Sequence, residues 1–248
     1  MERWVNKVAI VTGVTTGIGA AIAEMMVKEG VLVAGFARKK ERVQELFEKL
    51  QHEKGKLYVL MVDITNENEI LTGFKWIKSN LGPVHILINN AGVARHTSLI
   101  DGDTQKWKEV FETNVFGLCI ATREAVRDMR THQTSGHIIH MNSIAGHTIP
   151  YFPGTSVNVY AAAKFAVTAL TETLRRELMN CNLKIKVTSI SPGVVASESS
   201  VSCSNLDTDS SIPQLKPQDV ADAIKYVLTT PQHVQVHELI LKPVGEQF

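Results

Sequence analysis

The chain has 248 residues, with 26 lysines and arginines against 25 aspartates and glutamates, a net charge of +1 and a mean hydropathy of essentially zero. Such a length lets one domain bury a large core, and the two signs of charge are interspersed along it, which argues against nucleic acid as a partner. Three cysteines, Cys119, Cys181 and Cys203, without Cys-x-x-Cys spacing suggest neither a disulfide framework nor a cysteine zinc site. The charged start Met1-Glu2-Arg3-Trp4-Val5-Asn6-Lys7 is unlike a signal peptide, and no apolar run reaches the roughly 20 residues of a membrane span. A cytoplasmic chain with no integral membrane association is expected.

The β-branched run Lys7 to Thr12 predicts a strand, and Gly17 to Glu29 predicts a helix with Ile22, Met25 and Met26 inward. A strand from Val31 to Phe36, a charged helix from Lys39 to Lys54 and a strand from Lys56 to Val62 follow. Asn66 to Asn80 is helical, Gly82-Pro83 ends it, and Val84 to Ile88 is an apolar strand. Next comes a long helix, with Phe111, Val115, Leu118, Thr122, Val126 and Met129 on one face, and a strand from His137 to Asn142. A second long helix covers Tyr160 to Asn180, with Ala166, Leu170, Leu174 and Leu178 as its core face. Lys184 to Ile190 is a strand, Lys216 to Leu228 a helix and Val236 to Leu241 a closing strand. Apolar strands alternating with helices imply an α/β fold, a doubly wound parallel sheet of about seven strands covered on both faces. A serine-rich interruption is expected to be a mobile substrate loop over 194–215, within one domain spanning 1–248.

Where the first strand meets the first helix the chain reads Thr12-Gly13-Val14-Thr15-Thr16-Gly17-Ile18-Gly19. Backbone N–H groups of such a turn, with the positive end of the helix, suit a pyrophosphate, and glycines let the main chain approach it. The turn lacks a Walker Gly-Lys-Ser/Thr ending, and its Gly-x-x-x-Gly-x-Gly spacing differs from Gly-x-Gly-x-x-Gly. On its own it equally describes a tight strand-to-helix turn. The second strand ends Gly35-Phe36-Ala37-Arg38-Lys39-Lys40, with three cations where an NAD-binding chain would place a carboxylate. Arg38 can fork onto a 2′-phosphate and Lys39 can add a point charge, although the same cations can open a solvated helix. Asp63 can reach an adenine amino group or simply cap a turn.

Tyr160 and Lys164 lie one helical turn apart on the same face. A neighbouring ammonium favours the phenolate of a tyrosine, and Ser143, at the end of the preceding strand, can hold a substrate oxygen. Tyr-x-x-x-Lys also arises by chance on many helices. The order of motifs, however, resembles the short-chain dehydrogenase/reductase family along essentially the whole chain. The motifs are the TGVTTGIG turn, Asn89-Asn90-Ala91-Gly92, Asn114 within Thr113-Asn114-Val115-Phe116-Gly117, Ser143, Tyr160-Ala161-Ala162-Ala163-Lys164, and Pro192-Gly193. The resemblance implies an NADP(H)-dependent oxidoreductase acting on CH–OH groups. In it Tyr160 is the general acid/base, Ser143 orients the substrate oxygen, Lys164 binds the nicotinamide ribose, and Asn114 holds a water linking Lys164 to solvent. Cofactor contacts carry over to Gly13, Thr15, Gly17, Ile18, Gly19, Asn90 and Gly92, and to Pro192, Gly193, Val195 and Ser197 near the carboxamide. Two positions depart from the family pattern. Val14 stands where a small residue is common, and Ser197 where a threonine is common.

The segments expected to cover the reacting carbon are Ile144 to Val159 and the loop after Pro192. The first contains no Lys, Arg, Asp or Glu, and the second offers Val194, Val195, Ile212 and Leu215 with no cation between Pro192 and Ser211. An apolar alcohol or carbonyl substrate suits such a lining, which can also merely pack on the sheet. The stretch His137 to His147 and the tail Val236 to Pro243 look like the insect farnesol dehydrogenase branch and its steroid-reducing relatives. That likeness implies oxidation of farnesol to farnesal, a step connected with juvenile hormone synthesis, with steroid or general carbonyl reduction as the alternative. Members of the family commonly form homodimers or homotetramers through the two long helices. His137 and His140 project from opposite faces of a strand, so no metal site is expected. A non-catalytic NADP(H) redox sensor is the competing class, disfavoured by the intact Asn114, Ser143, Tyr160 and Lys164 set. A sugar epimerase would need a C-terminal substrate domain, and only 55 residues follow Gly193.

Overall fold

The computed structural model describes residues 1–38, 43–150, 158–196 and 213–247. Among these, seven strands form one wholly parallel sheet: β1 (Val8–Thr12), β2 (Leu32–Ala37), β3 (Lys56–Met61), β4 (Val84–Asn89), β5 (His137–Met141), β6 (Lys186–Pro192) and β7 (Glu238–Leu241). Their spatial order is β3-β2-β1-β4-β5-β6-β7. The helices are α1 (Gly17–Lys28), α2 (Gln44–Leu50), α3 (Glu67–Asn80), α4 (Thr104–Phe111), α5 (Leu118–Thr131), α6 (Asn158–Asn180) and α7 (Pro217–Thr229). This is the expected Rossmann-type doubly wound sheet. Strand order reverses between β1 and β4, which opens a crevice at the carboxyl ends of the central strands. No described helix is long and apolar enough to cross a membrane.

All five residues of β1 and of β5 are buried, as expected of strands covered on both faces. Alternate residues serve two cores. Ala9, Val11, Ile88 and Ile139 pack with Ile22 and Met26 of α1 and with Val220 and Ile224 of α7. Val8, Ile10, Leu87 and Ile138 pack with Ile70 and Ile77 of α3 and with Ala125 and Met129 of α5. Burial of a side chain such as Ile22 is worth about 1.5–3 kcal/mol.

Three expectations are corrected in detail. The sixth strand runs from Lys186 to Pro192, two residues beyond the expected Lys184 to Ile190, and three of its buried polar side chains find partners. Lys186 Nζ donates to Val234 O at 2.9 Å, the Thr188 hydroxyl to Val236 O at 2.6 Å, and the Ser191 hydroxyl to Glu238 Oε1 at 2.5 Å. The long helix expected around Phe111 to Met129 is α4 and α5 joined by a π-helical turn, Glu112–Gly117. That turn shifts the phase, so Ala121, Ala125 and Met129 are fully buried while Phe111, Val115 and Val126 are half-buried. On α6 the buried line runs through Ala163, Lys164, Val167, Thr171 and Leu178, and Ala166, Leu170 and Leu174 are half-buried beside it. Small residues let this helix sit close, and a lysine occupies a position that apolar periodicity would not select. Lys39, Ser197, Ile212 and the larger part of the expected loop over 194–215 lie outside the described residues, as do 151–157.

Val14, the departure in the glycine-rich turn, is fully buried, and Gly35 of β2 makes its space. A Cβ at Gly35 would lie 2.6 Å from Val14 Cγ2. Gly35→Ala is therefore expected to cost about 1–3 kcal/mol through overpacking. Urea unfolding should show the loss, and Val14→Ala should recover most of it in the double variant.

Candidate active site

Parallel strands bring the described strand-end segments to one edge of the sheet. β1 runs into the glycine-rich turn, β2 into Arg38, β3 toward Asp63, β4 into Asn90, β5 toward Ser143, and β6 ends at Pro192. Gly13 and Gly17 have φ of +74° and +58°, left-handed values that L side chains rarely adopt. A Cβ at Gly19 would fall 2.0 Å from Gly13 O, so the turn lies directly on the first turn of α1. Thr16 caps that helix without a side-chain hydrogen bond, and no acidic residue stands in its first turn. The leading N–H groups of α1 therefore lack a side-chain acceptor, and an anionic group fits there. Thr15, Gly17 and Ile18 are half-buried along this turn. Arg38 is exposed two residues beyond Phe36, whose carbonyl accepts the Gly13 N–H at 2.9 Å. Arg38 thus stands at the strand end next to the turn. The residues present fit a dinucleotide phosphate group.

A residue that the sequence reading left unassigned joins the two halves of the crevice. Thr12 is buried, and its Oγ1 accepts the N–H groups of Asn90 at 3.0 Å and Ala91 at 2.9 Å. The Asn90 side chain answers by donating to Thr12 O at 2.9 Å and Gly13 O at 3.1 Å. The available signal was a hydroxyl closing an otherwise apolar strand. Asp63 is engaged locally through one oxygen: Oδ1 accepts from the Thr65 N–H at 2.9 Å and the Thr65 hydroxyl at 2.8 Å, the geometry of a turn.

Asn114 is buried within the π turn. Its Nδ2 donates to Val93 O at 2.6 Å and its Oδ1 accepts the Val93 N–H at 2.9 Å. A Cβ on Gly92 would lie 2.9 Å from that Oδ1. The amide thus holds the chain after β4 as a backbone strand would. Val93 and Val115 then pack with Tyr160, Val159 and Ala163, which draws this loop against the first turns of α6.

Lys164 is 6% exposed; its Nζ donates to Met141 O at 2.8 Å and lies 5.6 Å from the centre of the Tyr160 ring. Burial lowers its pKa from 10.5 to about 8. Ser143 caps a 3-10 turn, Ile144–Gly146, and its Oγ accepts the Ala145 N–H at 3.1 Å, which leaves the hydroxyl proton to donate. Thr168 of α6 donates to Gly146 O at 2.9 Å and accepts from Asn142 Nδ2 at 2.8 Å, so the helix of Tyr160 and the turn of Ser143 are tied together.

Behind them a buried polar chain has a single consistent direction. Asn89 Nδ2 donates to Thr122 Oγ1 at 2.8 Å, which leaves the Thr122 hydroxyl proton for His140 Nε2 at 3.3 Å. His140 Nδ1 lies 2.9 Å from Thr171 Oγ1, which itself donates to Val167 O at 2.7 Å. His140 is thereby neutral with its proton on Nδ1, and burial, reinforced by Arg175 and Lys164, lowers its pKa to about 3. His137 is likewise lowered to about 3 by burial, and its Nε2 pairs with Thr188 Oγ1 at 2.9 Å. Both histidines serve hydroxyl groups, and the described residues hold no cluster of three metal-ligating side chains.

The chain as a whole is similar to known proteins. The family model for short chain dehydrogenases matches residues 7–205. Farnesol dehydrogenase of Aedes aegypti is 45% identical, with the whole of both chains covered. Dehydrogenase/reductase SDR family member 11 of Bos taurus is 42% identical over 99% of each chain. Among solved structures, an alcohol dehydrogenase from the archaeon Thermococcus sibiricus, complexed with 5-hydroxy-NADP, superposes with a TM-score of 0.84 at 25% identity, covering 98% of each chain. The chain belongs to the short-chain dehydrogenase/reductase family and within it resembles the insect farnesol dehydrogenase branch.

Proposed function

We propose that this oxidoreductase uses NADP(H) to interconvert an apolar alcohol and its carbonyl, with farnesol and farnesal as the first pair. The observation that carries the reaction is the buried Lys164 ammonium beside Tyr160, on a helix tied to Ser143. When bound, the nicotinamide ring supplies the hydride acceptor for oxidation and the hydride donor for reduction. In oxidation the Tyr160 phenolate takes the hydroxyl proton of the alcohol while the Ser143 hydroxyl donates to the same oxygen. The Lys164 charge lowers the cost of that phenolate and offers its remaining N–H groups to the ribose. In reduction Tyr160 returns the proton to the carbonyl oxygen.

The phosphate-bearing end would lie on the N-terminus of α1 and the turn from Gly13 to Gly19, with Asn90 and Gly92 along the adenosine ribose and Pro192 to Val195 along the carboxamide. Arg38, followed by Lys39 and Lys40 in sequence, supports a 2′-phosphate and hence NADP over NAD. Asn114, whose amide holds the Val93 loop at both ends, is also the residue proposed to carry the water that links Lys164 to solvent. Farnesol is supported by the identity with the mosquito enzyme and by the lack of charge in 144–159. Steroid or general carbonyl reduction is the second reading, with which the bovine relative's name, a dehydrogenase/reductase, is compatible. Phe116 on the π turn and Phe165 on α6, 60% and 42% exposed, support self-association through the long helices. The free Cys119 and Cys181 suit a reducing cytoplasm.

Tyr160→Phe should lower kcat by at least roughly 10²-fold while NADPH affinity stays near wild type, as read by steady-state assay and fluorescence titration. Wild-type turnover by that variant would remove Tyr160 from the chemistry. Arg38→Asp should shift the ratio of NADP to NAD efficiency about tenfold or more toward NAD; an unchanged ratio would place the 2′-phosphate elsewhere. Lys164 also links stability to pH. Its pKa is about 8 when folded and 10.5 ordinarily, so between those values the unfolded chain binds the extra proton and stability rises with pH, by about 3 kcal/mol at most. Thermal unfolding from pH 7.5 to 10 should show a smaller rise in Tm for Lys164→Met than for the parent chain.

A further inference from the structure

The tail after β7 returns to the site through a turn in which the Glu246 N–H donates to Pro243 O at 3.2 Å and Gly245 has φ of +90°. The Glu246 side chain is 0% exposed. Its Oε2 accepts the Val194 N–H at 3.0 Å, and its Oε1 lies 3.2 Å from Lys242 Nζ. A buried carboxylate is costly unless paired and hydrogen-bonded, and this one has a cation and a backbone donor. Gly193 is shaped to receive it, since a Cβ there would fall 2.1 Å from Glu246 Oε2. The glycine is required for space and not for conformation, because Gly193 does not have a positive φ.

Val194 is a junction. Its N–H goes to Glu246, and its carbonyl accepts the Leu215 N–H at 2.8 Å. The Ala196 N–H returns to Leu215 O at 2.8 Å, and the Gly193 N–H donates to Leu241 O at 2.8 Å. The tail also lies along the returning arm, since a Cβ on Gly245 would be 3.5 Å from Pro213 Cγ. One turn thus braces both arms that lead into and out of residues 197–212.

We propose that Glu246 is a positioning residue for the nicotinamide half of the cofactor, holding Gly193 and Val194 where that half is bound. The proposal rests on the reading of Pro192 to Val195 as the carboxamide contact. Calorimetric titration with NADPH and with 2′-phospho-ADP-ribose, which lacks only the nicotinamide, tests it. Glu246→Ala should weaken NADPH about tenfold and leave 2′-phospho-ADP-ribose within about twofold, with the KM for cofactor rising more than kcat falls. Glu246→Gln keeps an acceptor oxygen for the Val194 N–H and should recover most of the affinity. Gly193→Ala, which expels the carboxylate, should reproduce the loss and add little in the Glu246→Ala background.

Equal weakening of both ligands, unchanged NADPH affinity, or a full Gly193→Ala effect without Glu246 would each overturn the proposal. A parent chain that binds neither ligand would instead sink the cofactor reading, and the positioning role with it. Should Glu246→Ala fail to fold, Glu246→Asp, shorter by one methylene, is expected to show the same selective loss, and a loss shared by both ligands refutes it.

Discussion

The structure depends on how two adjacent parallel strands part at their carboxyl ends. β1 leads toward β2 on one side and β4 toward β5 on the other, and the resulting crevice would leave several backbone N–H groups without partners. Thr12 resolves this by accepting two of them, from Asn90 and Ala91, while the Asn90 amide returns two hydrogen bonds to the β1 side. With this link made, the glycine-rich turn and the chain after β4 are held at a fixed separation. The crevice is then a rigid feature of the sheet, and the polar groups around it belong to strand ends.

A second constraint is electrostatic. Placing a lysine on the inner face of α6 removes an ammonium from water, and its lowered pKa measures the cost. The cost is contained because the neighbouring titratable group, His140, is neutral and its tautomer is set by Thr171. A charged imidazole there would repel Lys164 and compete for its field. The positive charge beside Tyr160 is thus concentrated on one atom, held by Met141 O, and an adjacent phenolate gains most from that arrangement.

The sheet, its helices and the order of the motifs were legible because buried parallel strands write themselves as apolar runs and helices as 3.6-residue patterns. The same logic explains where reading by pattern failed. β6 carries Lys186, Thr188, Ser189 and Ser191 inward, each a residue type that signals surface unless its partners are known. The π turn at Glu112–Gly117 interrupts the long helix without any local residue that marks it; Leu118, Thr122 and Met129 of the expected face are buried, joined by Ala121 and Ala125 in place of Val126. Tyr160, Lys164 and Ser143 were visible as a spacing and a strand end, but their mutual restraint by Thr168 and Asn142 depends on tertiary contacts. Thr12 is one letter of the glycine motif, which carries no sign that its hydroxyl serves the chain leaving β4.

Two glycines show most clearly what a local motif leaves out. Gly35 lies within β2 and Gly193 in the Pro192-Gly193 motif, where a motif reading assigns a glycine to ligand approach. In this chain each also makes room for a protein side chain remote in sequence: Val14 over Gly35, and Glu246 against Gly193. The departure at Val14 is therefore tolerated because a second position is empty, and the two residues form one unit of packing. At Gly193 the same relation joins the strand-end segment to the carboxyl-terminal tail, so a residue absent from every recognised motif shares control of a segment that the motif names. Exchange of either glycine tests a contact between parts of the protein before it tests any contact with a ligand.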